Sequence, residues 1–178
     1  EKPPAARVTA APSGDGAPNA IEVVRRLQRM EDLAIDLVEL DDNQARLTIA
    51  EVPDKPGISA ALFERLARDG ILVDMIVQSC GLRGRANVSC TVPRNDLQRG
   101  IRCAQAASQE LDCGVVTHAP NVAKLSVSGI GIRSHVGVAI RMFQALAAAD
   151  INVEMINTSE VRVNVVVDGT RGQQGMAA

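Results

Sequence analysis

The loop before the predicted helix at residues 58–68 of this 178-residue chain carries groups that suit a small zwitterion. After Gly57, the backbone amides of Ile58 and Ser59 have no carbonyl partner within the helix, and they lie at the positive end of its dipole. They are therefore suited to a carboxylate. Asp54, a few residues earlier, is suited to an ammonium group, and Gln78, at the end of the next predicted strand, can donate and accept hydrogen bonds. Together these groups describe a site for a free amino acid.

A similar set of side chains follows later in the chain: Ser134, His135, Glu154, Asn157, Ser159 and Glu160. Two carboxylates beside a helix N-terminus suit a cationic amino acid such as lysine. A purely structural interpretation also fits both sets. In that interpretation Asp54 only shapes a turn, Gln78 is a solvated strand end, and Ser134 caps a helix.

The elements that position these residues occur twice. The segment 45–49 matches 123–127, and 73–76 matches 153–156, with like residues at an offset of 78 to 80. The chain therefore carries two copies of one module of about 75 residues, a size at which a single core is marginal. Each copy is expected to depend on the other or on a second chain.

Hydrophobic periodicity and turn residues predict the elements of each copy. The first copy has predicted strands at 46–51, 73–79, 86–92 and 115–117, and helices at 58–68 and 96–111. The second has strands at 124–128, 151–157 and 162–167, a helix at 136–149, and the beginning of another at 171–178. This order predicts an α+β fold of two ferredoxin-like βαββαβ units, each an antiparallel sheet with helices on one face.

The residues before the first copy divide into three predicted parts. Residues 1–20, rich in Pro, Ala and Gly, form a flexible tether, and because the chain starts at Glu1 we expect a preceding segment. Residues 21–30 form a short amphipathic helix, and 34–40 form a strand followed by a turn at 41–43. That strand has no partner in the first copy, so we expect it to complete the second sheet and interlock the modules. The predicted domains are 1–20, 21–44, 45–120 and 121–178.

Composition excludes several classes of function. A net charge of −2, with two Phe and no Trp or Tyr, is unlike a nucleic-acid binder or a protein that binds anionic membranes. No apolar run is long enough to span a bilayer, and no signal peptide opens the chain. The four cysteines are widely spaced, which favours neither a metal site nor disulfides and predicts a reducing cytoplasm. No nucleophile–base pair and no phosphate loop is evident, since Gly129-x-Gly131 lacks the rest of that motif.

Two motifs give the chain a family resemblance. Residues 47–78, with Val-Pro-Asp-Lys-Pro-Gly and Val-Asp-Met-Ile-Val-Gln, resemble the first ACT domain of bacterial aspartate kinases. Residues 131–137 and 153–161, with Thr-Ser-Glu, resemble the second. The resemblance implies tandem ACT domains that bind threonine or lysine as feedback inhibitors at domain and subunit interfaces. The chain departs from the family pattern at Val136, where Pro is usual, and at Asn157, where Ser is frequent.

The resemblance also assigns effector contacts. In the first unit they are Asp54, Gly57, Ile58, Ser59, Asp74 and Gln78, and in the second Ile130, Ser134, Glu154, Ser159 and Glu160. It implies a cytoplasmic homodimer joined through its ACT domains and working with a kinase domain or catalytic subunit. ATP and Mg are expected only in that kinase part, so this chain has no cofactor, no metal and no catalytic residue of its own and should be inactive alone. The alternatives are an ACT module that mediates interactions without binding a ligand, and a small-molecule enzyme on the same fold.

Overall fold

The computed structural model describes residues 35–129 and 137–178. The predicted tether and first helix, and the second loop with Ile130 and Ser134, lie outside the described residues. The strands are β1 (Leu37–Pro53), β2 (Ile76–Cys80), β3 (Arg85–Pro93), β4 (Val116–Ser128), β5 (Val153–Thr158) and β6 (Arg162–Asp168). The α-helices are α1 (Ile58–Arg68), α2 (Leu97–Glu110), α3 (Gly137–Ala148) and α4 (Gly172–Ala177). The predicted helix at 58–68 is confirmed with its bounds.

The strands form one antiparallel sheet in the order β2-β3-β1-β4-β6-β5. Its two central strands serve both modules. Residues 44–53 of β1 pair with β3, whereas residues 37–41 pair with residues 124–128 of β4. Conversely, residues 116–119 of β4 pair with β1, and residues 122–128 pair with β6. Each module therefore receives one edge segment from a strand of the other, and the expectation of two interlocked ferredoxin-like units is confirmed.

The predicted turn at residues 41–43 is wrong, because β1 continues through it. Acidic and amide residues favour turns, but they also suit a bulge, where an extra residue interrupts the pairing. Here the register with β4 shifts between Asp41 and Gln44, and the Asp41 carboxylate accepts hydrogen bonds from the Asn43 amide (3.0 Å) and the Gln44 side chain (2.7 Å). The predicted strands at 115–117 and 124–128 are likewise one strand, with a second register shift near Pro120.

Each module buries its core between the sheet and its helices. In the first module Leu47 and Ile49 of β1 pack with Leu62 and Leu66 of α1. In the second, Leu125 of β4 packs with residues of α3 and β6. All five side chains have at most 1% of their surface exposed.

Glycines let the second helix of each module approach its sheet closely. A Cβ at Gly100 of α2 would lie 2.8 Å from Leu47, and one at Gly175 of α4 would lie 2.7 Å from Leu125. Because Leu47 and Leu125 are equivalent in the repeat, α4 occupies the place of the second helix of its module.

The two modules also contact each other on the side of the sheet opposite the helices. Met75 before β2 and Met155 of β5, which are equivalent in the repeat, form an apolar cluster with Val122 and Val166. Two ion pairs cross this contact: Arg46 to Glu154 at 2.7 Å, and Lys124 to Asp74. Arg46 and Lys124 are themselves repeat equivalents, as are Asp74 and Glu154. Each module thus supplies one cation and one carboxylate to the other.

The described residues contain no helix that is both long and apolar enough to cross a membrane. Across the same residues, no group of three or more His, Cys, Asp or Glu side chains is placed to hold a metal ion.

The crossed ion pairs should stabilise the module contact more than surface pairs do. In a double-mutant cycle with Arg46→Met and Glu154→Gln we expect a coupling of about 1 kcal/mol, because both side chains are partly buried. The matched control is the exposed pair Arg68–Glu64 on α1, for which about 0.5 kcal/mol or less is expected. Urea unfolding of the variants measures both couplings, and equal values would contradict the prediction.

Burial raises the pKa of the Cys90 thiol to about 12. An exposed thiol in the unfolded chain ionises near pH 8.5, so above that pH the unfolded state binds fewer protons than the folded state. The free energy of unfolding should therefore be unaffected by this group below about pH 8.5. As pH rises toward 12, it should fall by up to about 1.4 kcal/mol per pH unit. Urea unfolding at several pH values, in reductant, should show a shallower fall for Cys90→Val. An equal fall in the free energy of unfolding of parent and variant would contradict the assignment to Cys90.

Candidate ligand-binding site

The candidate site is built where β1 ends and α1 begins. Gly57 caps α1 with a left-handed backbone (φ 92°), and a residue without a side chain leaves the first turn without a side-chain cap. No acidic residue lies in that turn either. The positive end of the helix is therefore not neutralised by its own sequence, which favours binding of an anionic group.

Side chains from α1 and β2 meet beside this helix end. Ser59, in the first turn, donates a hydrogen bond from Oγ to Oε1 of Gln78, at 3.1 Å. Gln78 lies on β2, an outer strand of the sheet, and is exposed. The sequence-predicted residues Gly57, Ile58, Ser59 and Gln78 are thus brought together, at an open edge of the sheet.

Asp54 lies in the loop that leads to α1, and its side chain is exposed. Its backbone amide donates to the carbonyl of Gly84 at 2.8 Å, which ties the loop to the turn before β3. The amide of Ile58, predicted to be available to a ligand, donates to the carbonyl of Lys55 at 3.3 Å. That is a long bond, so it competes weakly with a carboxylate acceptor.

Asp74 is placed elsewhere. It lies four residues before Gln78, roughly 13 Å along an extended chain, and its carboxylate pairs with Lys124 across the module contact. Within one chain it therefore does not join the cluster at the start of α1.

The second predicted set is only partly described. Glu154 pairs with Arg46, as above. Ser159 and Glu160 are exposed in the turn between β5 and β6, where the Ser159 amide donates to the carbonyl of Arg162 at 2.8 Å. Ile130 and Ser134 lie outside the described residues.

A separate cleft of about 370 Å³ opens beside β5, lined by Asp150, Ile151, Asn152, Glu154, Asp168, Thr170 and Arg171. Several of its polar side chains already have hydrogen-bond or ion-pair partners. Asp168 accepts from the Thr170 hydroxyl and from the Thr170 amide (2.7 Å), and these two hydrogen bonds lower the pKa of that carboxyl. Arg171 donates to the Ala149 carbonyl at 2.8 Å and to Gln174. These contacts stabilise the turn before α4 and offer little to a ligand.

Two residues that the sequence analysis did not select contribute to the site from β3. Arg85 and Asn87 contact the backbone of Glu51, just before the loop. A signal for them was present in the sequence, because Arg-Ala-Asn-Val at 85–88 is matched by Arg-Val-Asn-Val at 162–165.

Two interlocked βαββαβ units with an open helix N-terminus at a sheet edge define a tandem module of the ferredoxin-like class. The ACT domain family model matches the chain twice, at residues 50–107 and 125–178. The chain is 36% identical over 151 residues to an aspartate kinase of Stutzerimonas stutzeri, covering 85% of this chain and 37% of that enzyme.

Two solved structures of aspartate kinase subunits match this chain over nearly their whole length. The regulatory subunit of aspartate kinase from Thermus flavus is 34% identical with a TM-score of 0.74, covering 81% of this chain and 95% of that one. A crystal structure of aspartokinase alpha and beta subunits is 35% identical, with the same TM-score and coverage. The chain therefore belongs to the ACT domain family, as the regulatory region of an aspartate kinase.

The left-handed backbone at Gly57 predicts a specific substitution pattern. A Cβ there would meet no atom within 4 Å, so only backbone strain opposes a side chain. Gly57→Ala should lower the free energy of unfolding by about 1–2 kcal/mol. Gly57→Asn should cost less, because Asn adopts positive φ more readily. Urea unfolding distinguishes them, and equal stability of Gly57→Ala and the parent would refute the assignment.

Proposed function

We propose that this chain senses a free amino acid, lysine or threonine, and so gives an aspartate kinase feedback inhibition in the synthesis of the aspartate family of amino acids. The observation that carries the proposal is the uncapped start of α1, with Ser59 bonded to Gln78 beside it and an exposed Asp54 in the loop that leads to it. The ligand carboxylate would accept from the first-turn amides of α1. Its ammonium group would pair with Asp54, and Gln78 would contact its side chain.

The second effector set supports a preference for lysine at that site. Glu160 and Ser159 lie in the exposed turn after β5, and Glu154 lies on β5 itself. Ile130 and Ser134 complete the proposed set. In this proposal Asp74 and Glu154 act through the module contact, because a ligand near either carboxylate competes with its resident cation, Lys124 or Arg46.

The kinase itself is proposed as the partner. The chain aligns with 37% of the aspartate kinase named above, and similar chains are described as regulatory subunits or as alpha and beta subunits. ATP and Mg would bind the kinase part, in the cytoplasm. An effector that binds one arrangement of the ACT domains better would shift the kinase toward its inactive state, and the coupling would be reciprocal.

Homodimerisation through the ACT domains is supported by the outer strands. Ile76 on β2 is 43% exposed, and its repeat equivalent Ile156 on β5 is 47% exposed. Both strands have a free edge in the sheet of the described chain. Free edges and exposed apolar side chains favour pairing with another copy. The same features favour the second candidate function, an interaction module that pairs through these edges and holds no ligand.

Thermal unfolding with lysine and with threonine at millimolar concentration tests the proposal. A ligand at 100 times its Kd stabilises the fold by about 2.7 kcal/mol, which raises Tm measurably. Asp54→Asn should bind at least tenfold more weakly, through loss of a charged contact, and Gln78→Ala should also weaken binding. The matched control is Asp69→Asn at the other end of α1, which should bind like the parent.

Two results would count against the proposal. No rise in Tm with either amino acid would favour the module that binds no ligand. Parental affinity in Asp54→Asn, together with binding by the parent, would place the ligand at a different site.

A further inference from the structure

The last part of β1 contains a bulge directly before the proposed ligand-binding loop, residues 54–57. Ile49 pairs with Val88 and Val52 with Ala86, so three steps along β1 match two along β3. The extra residue turns the strand, and Glu51 in the bulge has a positive φ of 50°. A bulged residue cannot use the regular ladder, so other groups must accept and donate its hydrogen bonds.

Two side chains of β3 make these hydrogen bonds to Glu51. Asn87 accepts from the Glu51 amide through Oδ1 at 3.2 Å, and Arg85 donates from Nη1 to the Glu51 carbonyl at 3.0 Å. Being two residues apart on one strand, they lie on the same face of the sheet. Together they satisfy both backbone groups of Glu51 and hold it in its left-handed conformation.

The same guanidinium reaches a third segment. Arg85 Nη2 pairs with the Asp112 carboxylate at 2.8 Å, and Nη1 also donates to the Asp112 carbonyl. Asp112 has a positive φ of 54° and lies in the turn between α2 and β4. Two residues after Asp112, the Gly114 amide donates to the carbonyl of Ala50 at 2.8 Å. Arg85 therefore connects Glu51 with Asp112, the left-handed residues near the two ends of this hydrogen bond.

The ligand-binding loop begins at this junction. Pro53 is in register with Arg85, and the Asp54 amide bonds to the carbonyl of Gly84, the neighbour of Arg85 in sequence. The direction in which the chain leaves β1 therefore depends on the bulge. The position of Asp54 relative to the start of α1 follows from that direction.

We propose that Arg85 is the positioning residue of the first effector site, fixing the Glu51 bulge and with it the course of the loop that carries Asp54 to the uncapped end of α1. The inference rests on the proposed function of that site. An arginine suits this role because its planar fork donates in several fixed directions at once, whereas a lysine ammonium is a single point charge on a flexible stem. Arg85→Lys should therefore restore only part of what Arg85→Met loses.

Two measurements on the whole chain test the role. Without ligand, hydrogen–deuterium exchange of residues 51–57 should become at least tenfold faster in Arg85→Met, while the β4 and β6 core keeps its protection. Calorimetric titration with lysine and with threonine should show about tenfold weaker binding of whichever one the parent binds. Arg85→Lys should fall between parent and Arg85→Met in both measurements. Asp112→Asn, which keeps the carbonyl contact, should have a smaller effect than Arg85→Met.

Arg99→Met on α2 is the matched control, because it removes the same charge from an arginine that contacts Asp96 and Gly70 instead. It should leave loop exchange and affinity at parental values. If Arg85→Met keeps parental affinity, or exchanges in the loop like the parent, the positioning role is refuted. If the parent binds neither amino acid, the proposed function fails, and loop exchange in Arg85→Met still decides whether Arg85 holds the loop.

Discussion

The antiparallel pairing of β1 with β4 is the contact on which the rest of the structure depends. Each strand is long enough to lie in both modules, so residues 37–41 belong to the second module's half of the sheet and residues 44–53 to the first module's half. Interrupting either strand would leave an open edge in both halves. The two modules are therefore expected to unfold together, and a shift in one changes the sheet that the other is built on.

The contact between the open sheet faces adds a second connection. It contains the apolar cluster around Met75 and Met155, and the two crossed ion pairs. Partly buried charges need their partners, since removing one leaves the other desolvated. Asp74 and Glu154 thus have a structural role that their place in the family pattern does not reveal. A ligand that disturbed either carboxylate would also disturb how the modules pack.

Much of this architecture follows from the sequence. The repeat predicts two modules, the apolar face of residues 58–68 predicts α1 with its bounds, and the unpaired strand near residue 37 predicts the interlock. The proximity of Gly57, Ser59 and Gln78 could be predicted because the helix after Gly57 and the strand that ends at Gln78 are both local patterns. Such local rules need no knowledge of distant contacts.

The misses have a common physical cause. The residues at 41–43 have turn composition, and only the presence of β4 alongside makes a bulged strand the better arrangement. Arg94, whose side chain donates to the Asp42 carbonyl and to Asn121 (2.6 Å), holds the bulged parts of β1 and β4 together. Arg85 was missed for the same reason, since Glu51 and Asp112 are 34 and 27 residues away from it in sequence. Long-range polar contacts of this kind cannot be read from periodicity.

In the second module the interlock connects the end of β4 to the start of the described chain. At the end of β4, just before the second loop, the Ser128 carbonyl accepts from the Asp36 amide at 2.8 Å. Arg162, the repeat equivalent of Arg85, lies 3.4 Å from Glu39 on the same segment of β1. Where the arginine of the first module contacts the turn after α2, that of the second contacts the first segment of β1. Because this strand is a structural part of the second sheet, any rearrangement of β4 at that loop must also move the strand or break its hydrogen bonds.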